Sequence, residues 1–254
     1  MNKENIVVVA IDGSDASKVA VRWAANTAMK RDIPLRLAAS YSMPQFLYAE
    51  GMVPPQELFD ELQEETMEKI NEAREIAHEV APDIKIGHTI AEGSPIDMLL
   101  EMSKYVTMIV MGSRGLGGLS GMVMGPVSAA VVSHAHCPVV VVRGDNPVTE
   151  DTKYGPVVVG VDGSGVSQKA IEYAFAEASA RECELIAVHT WMDMQIQASL
   201  AGLSAAQQQW KIVEEEQNML LGHRLAGYAE RYPDVQVTRV VTRDRPVRAL
   251  VDAA

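Results

Sequence analysis

Cysteine is scarce in this chain. Cys137 and Cys183 are the only two in 254 residues, too few for a disulfide framework or a zinc site. No run of 18 apolar residues occurs, so no membrane-spanning helix is expected. The opening stretch MNKENIVVVAIDGS lacks the build of a secretory leader, because its apolar run, Ile6 to Ile11, is short and ends at an aspartate. Positive charge is also in short supply: 22 Lys and Arg stand against 34 Asp and Glu, a net charge of −12. That balance excludes a nucleic-acid surface, which needs clustered cations, and argues against adhesion to anionic membranes. Nine of the acids, with only two Lys or Arg, fall within residues 56–80, where a helix presents them as a solvated face. Signatures of catalysis are missing too. There is no Gly-x4-Gly-Lys-Ser/Thr loop of the motor-like or GTPase kind. There is no Gly-x-Ser-x-Gly elbow, and neither cysteine lies in a nucleophile signature. The expectation is a cytoplasmic protein with neither a nucleic-acid nor a membrane partner.

What is present is an alternation of strand and helix signals. Ile6–Ile11 is a β-branched run ended by Asp12-Gly13-Ser14, a strand buried on both faces. Ser14 or Asp15 can cap the following helix, which carries Val19, Ala20, Trp23, Ala24 and Ala28 on one face. Leu35–Ser40 is a second strand, and residues 41–55, with three prolines and a glycine, are a loop. A long helix is expected from Gln56 to Val80, with Leu58, Leu62, Ile70, Ala73, Ala77 and Val80 facing inward. Pro82-Asp83 ends it. Ile84–Ile90 is a third strand, and Ser94-Pro95 opens a helix to Ser103. Val106–Met111 is a fourth strand, Pro126–His134 a helix, and Pro138–Val142 a fifth strand. This order calls for a parallel sheet covered on both faces.

After residues 144–155, a polar and turn-rich linker, the pattern restarts. VVVGVDGSGVS at 157–167 repeats VVVAIDGSDAS at 7–17, and ELIAVHTW at 184–191 stands where PLRLAASY does at 34–41. PDVQVTRVVTRDRP at 233–246 repeats PDIKIGHTIAEGSP at 82–95. Three blocks in register mean a tandem duplication: a first domain over 1–143 and a second over 156–254. The second, as given, stops inside the counterpart of the 95–103 helix, before any second glycine loop or fourth and fifth strand.

The richest stretch is YVTMIVMGSRGLGGLSGMVMGPVS at 105–128: a short apolar run, a glycine-rich loop, then a helix start. Glycines let a backbone approach closely and adopt positive φ, and a helix N-terminus offers unpaired N–H groups, so this order suits a phosphate. Several side chains nearby have more than one reading. Asp12 either caps the first helix or meets a ligand, and Arg114 is either solvated or a phosphate clamp. His189 ends a strand and sits either in the core rim or near a ligand in the second half, whereas Asp162, matching Asp12, is expected to be a structural cap. His134, His136 and Cys137 are adjacent residues at a helix exit and do not form a metal cluster. Met108, Met111, Met122 and Met124 are packing material.

The spacing Gly112-x2-Gly115-x9-Gly125 between strand and helix resembles the ATP-binding loop of the universal stress protein family. Together with Asp12, the HAHCPVVVV segment at 134–142 and the duplication, it resembles a tandem-domain member of the actinobacterial type. The resemblance implies two flavodoxin-like (adenine nucleotide alpha hydrolase-like) α/β domains with five-stranded parallel sheets, the second incomplete at its C-terminus. It implies that ATP, with or without Mg, is held by Ile11, Asp12, Ser40, Met111, Gly112, Arg114, Gly115, Gly125, Val127 and Ser128. In that scheme Asp12 lies near the ribose or a metal, and Ser40 contributes a backbone group to adenine. Met111, Gly112, Arg114 and Gly115 line the ribose and phosphates, and Gly125, Val127 and Ser128 cradle the terminal phosphates. A regulatory stress-response role, binding without efficient turnover, and self-association through paired domains follow from it. The chain departs from the family pattern at Pro126, where the motif has Ser or Thr. Proline removes a hydroxyl and a backbone N–H. A nucleotide-free interaction module of the same fold is therefore the alternative, with slow ATP hydrolysis as a third.

Overall fold

A computed structural model describes residues 4–43, 55–113, 124–143, 155–191 and 203–254. The chain divides into two compact units, Met1–Thr152 and Lys153–Ala254. In the first, the elements run β1 (Val7–Ala10), α1 (Asp15–Lys30), β2 (Leu35–Tyr41), α2 (Gln56–Val80), β3 (Ile86–Glu92), α3 (Pro95–Ser103), β4 (Met108–Gly112), α4 (Pro126–His134) and β5 (Val139–Val142). In the second they run β6 (Val157–Gly160), α5 (Gly165–Arg181), β7 (Leu185–Thr190), α6 (Leu203–Arg231), β8 (Val237–Thr242) and α7 (Pro246–Ala253).

All pairings are parallel. The first sheet has the order β3-β2-β1-β4-β5 and the second β6-β7-β8. The central strands β1 and β4 are fully covered, with Val7, Val8, Val9, Met108, Ile109 and Val110 all at 0% exposure, while the edge strand β5 is only half-buried. That gradient is what a continuous apolar run produces when helices cover both faces. Alternation then sorts the side chains: Ile6 and Val8 join Leu99, Ile109, Met111 and Val131 in a core beneath α3 and α4. Ala20, Ala24 and Ala28 of α1 and Ile70, Ala73 and Ala77 of α2 are buried where those two helices pack against each other and the sheet.

The duplication is visible in the hydrogen-bonded register. Val7 faces Leu35 as Val157 faces Leu185, and Leu35 faces Ile86 as Leu185 faces Val237. Helix starts repeat as well: Ser14 and Ser164 are the N-caps, receiving the N–H groups of Ser17 (3.2 Å) and Ser167 (3.1 Å). Four strand starts lie later than the apolar pattern predicts, β1 and β5 by one residue and β3 and β4 by two. Ile84 is in a turn, its N–H given to Ala81 O, and β3 starts at Ile86. Val106 is buried, but its N–H closes the end of α3 on Met102 O, and β4 starts at Met108. On α2, Thr66 and Ile76 are buried, whereas Leu58, Leu62 and Val80 are only half-covered.

The second unit builds its core around Phe175, fully buried with Ile171, Leu185 and Leu221 and stacked on Tyr228 (5.7 Å between centroids) and Tyr232 (5.9 Å). Replacing Phe175 by Ala is expected to cost about 3–5 kcal/mol through lost burial and the cavity left behind. Denaturant unfolding followed by tyrosine and tryptophan fluorescence measures it. A loss below about 1 kcal/mol would contradict the core described here.

Candidate functional site

Reversal of strand order between β1 and β4 opens a crevice at the carboxyl edge of the sheet, the place where open α/β sheets hold ligands. The exits of β1 and β4 are therefore neighbours. Val9 pairs with Val110, and extending that register sets Ile11 and Asp12 beside Gly112 and Ser113. Ser40, one strand over on β2, comes level with Asp12 by the same extension from Ala10 and Ala38.

Gly112 is where this edge is tightest. A Cβ added there would lie 2.7 Å from the carbonyl carbon and 2.8 Å from the carbonyl oxygen of Ala16 in the first turn of α1. No side chain fits between the end of β4 and α1. Around that contact the ends of the glycine loop are tied together. The N–H of Ser113 donates to Val142 O (3.0 Å), and the N–H of Gly125 donates to Ser113 O (2.8 Å). The Ser128 hydroxyl donates to Gly112 O (2.9 Å), with Ser113 and Ser128 both buried. Gly125 is the N-cap of α4 and Pro126 its first residue, a position that needs no N–H of its own. Val127 and Ser128 then occupy the next two positions, whose N–H groups have no acceptor within a helix.

Asp12 sits in the turn that starts α1. Its Oδ1 accepts the N–H (2.9 Å) and the hydroxyl (2.6 Å) of Ser14, and Gly13 has φ +83°. The residue is exposed, and Oδ2 has no partner among the described residues. It is thus both a cap to the turn and an available carboxylate. Ile11 is buried, its N–H bonded to Ala38 O (2.8 Å), and the Met111 side chain lies in the core, so only their backbones can face a ligand. Arg114 and Gly115, like Gly117, Gly118, Gly121 and Met122, lie outside the described residues. Of the ten residues expected at the site, the structure brings Ile11, Asp12, Ser40, Met111, Gly112, Gly125, Val127 and Ser128 to one edge of the sheet. Lys69 of α2 had no motif to mark it. Its Cδ lies 3.3 Å from where a Gly13 Cβ would be, and its ammonium donates to Glu65 Oε1 (2.8 Å), holding that carboxyl below its usual range.

The second unit repeats the turn. Asp162 Oδ1 accepts the Ser164 N–H (2.8 Å), Gly163 has φ +86°, and the backbone and hydroxyl of Ser164, then the Ser167 hydroxyl, hold the Asp162 carboxyl below its ordinary value. His189 is half-buried at the rim, where Nδ1 meets Val161 O (2.5 Å) and Nε2 meets Gln217 Oε1 (3.0 Å). Among the described residues no group of three or more His, Cys, Asp or Glu is placed to hold a metal, and no helix is long and apolar enough to cross a membrane.

Comparison with known proteins agrees with the repeat. A family model described as the universal stress protein family matches residues 4–143 and again 153–254. Universal stress protein Rv2623 of Mycobacterium tuberculosis (strain H37Rv) is 37% identical over 248 residues, covering 96% of this chain and 81% of that one. Universal stress protein Rv2005c of the same strain is 40% identical over 256 residues, covering 98% of this chain and 83% of its own. A solved universal stress protein from Archaeoglobus fulgidus DSM 4304 shares the fold, with a TM-score of 0.68, 19% identity, and coverage of 98% of this chain and 81% of that chain.

Gly112→Ala is expected to cost about 1–3 kcal/mol, because the atom it meets is backbone and cannot swing away. Ser128→Ala leaves the partly buried Gly112 carbonyl without the serine hydroxyl, a loss of about 1 kcal/mol. Thermal melting of the two variants reads both, and an unchanged midpoint for Gly112→Ala would show that the approach of β4 to α1 is looser than described. In the second unit Asp162 titrates lower folded than unfolded. Its contribution is therefore present above the unfolded carboxylate pKa, about 3.9, and fades as pH falls through the folded value. Asp162→Asn is expected to lower stability at neutral pH and to lessen its loss on acidification. Parallel acid limbs for the two proteins would count against this.

Proposed function

The chain belongs to the universal stress protein family, and from that premise we propose that its first unit binds ATP and acts through the bound nucleotide as a regulatory stress-response protein. The observation that supports this best is the tied base of the glycine loop. Ser113, Gly125, Ser128 and Gly112 hold the end of β4 and the start of α4 together at the point where strand order reverses. Two N–H groups at the start of α4, those of Val127 and Ser128, then offer donors and the positive end of a helix dipole to a phosphate. The Ser128 hydroxyl gives its proton to Gly112 O and the Gly125 N–H is given to Ser113 O, so the phosphate contacts proposed here are the two backbone N–H groups. Asp12 faces the ribose or a Mg ion through its second oxygen, Ser40 meets adenine through its backbone, and Gly112, Arg114 and Gly115 line the path between. Self-association through paired domains is proposed with it.

Pro126 favours a second reading, a nucleotide-free interaction module of the same fold. It is comfortable at the first position of α4, yet it withholds a donor where the family motif places a hydroxyl and an N–H. Calorimetric titration with ATP separates the two. Saturable binding at one site supports the first reading, and its absence overturns it. Pro126→Ser is expected to tighten ATP about tenfold, since a hydrogen bond to a charged phosphate is worth about 1.5–3 kcal/mol.

A further inference from the structure

We propose that Lys69 is a cationic arm of this nucleotide site, exchanging Glu65 in the free protein for the ligand's phosphates in the complex. The inference rests on the reading above and adds to it a residue from a helix with no motif.

Position is the first argument. The stem of Lys69 lies flat on the turn that carries Asp12, with Cγ, Cδ and Cε 3.3–3.4 Å from the missing Cβ of Gly13. Gly13 has φ +83° and no side chain, so the stem reaches the turn unobstructed. The turn stands at the exit of β1, on the wall of the crevice opposite the glycine loop.

Repetition is the second. In the other unit the guanidinium of Arg224, from α6, lies against Gly163, which has φ +86°. The two cations are not at equivalent positions. Lys69 is 11 residues from the end of α2 and Arg224 is 7 from the end of α6, a difference of one helical turn. A cationic side chain of the long helix lies over the same glycine turn in both units, Lys69 by its methylene stem and Arg224 by its guanidinium, reached from different places along the helix.

The third argument is what holds Lys69. Lys18 and Arg22 bridge α1 to α2 through Glu72 (2.5 Å) and Glu79 (3.6 Å). Lys69 is paired within its own helix, to Glu65 four residues back, with both side chains partly in water. Breaking such a pair loosens no helix contact and forfeits little, and the four-carbon stem lets the ammonium turn toward the crevice. A triphosphate arriving beside Asp12 brings charge of the same sign as Glu65, and Lys69 is a cation beside that turn able to change partner.

Calorimetry on the full chain with ATP and with adenosine tests this, using wild type, Lys69→Met and Glu65→Gln at one ionic strength. Lys69→Met keeps the stem over Gly13 and removes only the charge. It is expected to weaken ATP about tenfold, the loss of one charge-assisted contact, while adenosine is unaffected. Glu65→Gln releases the ammonium and is expected to tighten ATP severalfold. A purely structural lysine predicts neither result. ATP affinity within twofold of wild type in Lys69→Met, or equal losses for ATP and adenosine, overturns the proposal while the nucleotide site stands. Absence of saturable ATP binding in the wild type overturns the underlying reading and this proposal together.

Discussion

The carboxyl edge of the first sheet depends on one steric fact: β4 ends in a residue without a side chain. With Gly112 in place the end of β4 comes against the first turn of α1, close enough that a methyl group would overlap the Ala16 carbonyl. The Gly112 carbonyl is then free to receive the Ser128 hydroxyl, and Ser113 to receive the Gly125 N–H, which together aim the start of α4 at the exit of β1. A wider residue at 112 would push α1 and β4 apart and with them the two walls of the crevice. The loop's glycines permit a ligand to approach, but it is this contact that determines where the loop begins and ends.

Much of this was legible in the sequence, for reasons that differ by element. Helix limits were easy where punctuation was strong: α2 runs from Gln56 to Val80 as read, bounded by Pro55 and by Pro82-Asp83, and α3 and α4 start at prolines that fit a first helical position. Parallel strand centres were equally plain, because β-branched runs buried on both faces show no alternation to confuse. Strand starts were harder. Val106 and Ile84 are apolar like the strands after them, but each spends its N–H closing a turn behind it, a choice made by hydrogen bonds and not by hydropathy. On α2, Thr66 is buried where no apolar residue would have flagged it, its hydroxyl donating to Leu62 O (2.7 Å).

At the site the motif identified the right segment, while the roles of single atoms needed coordinates. Spacing alone could not say that the Ser128 hydroxyl turns inward to Gly112, nor that Met111 and Ile11 offer backbone only. Lys69 was invisible for a different reason. It is one of two cations on a helix with nine acids, 56 residues from Gly13 in sequence, and its contact exists only because α2 packs along α1. A charge run read as a solvated face is a sound description of most of α2 and conceals the one residue on it that touches the turn.

The two units together separate what the fold requires from what a ligand requires. Asp-Gly-Ser-x-x-Ser survives in both, with the same aspartate-to-serine bond, the same positive φ and the same serine cap. In both units that turn starts a helix behind the first strand, and its aspartate holds the serine that caps it. The described sheet of the second unit contains β6, β7 and β8. In the first unit the turn contributes a carboxylate that any bound anion has to tolerate. With Asp12 on one side and a donor missing at Pro126 on the other, the proposed site calls for positive charge from side chains, Arg114 within the motif and Lys69 outside it.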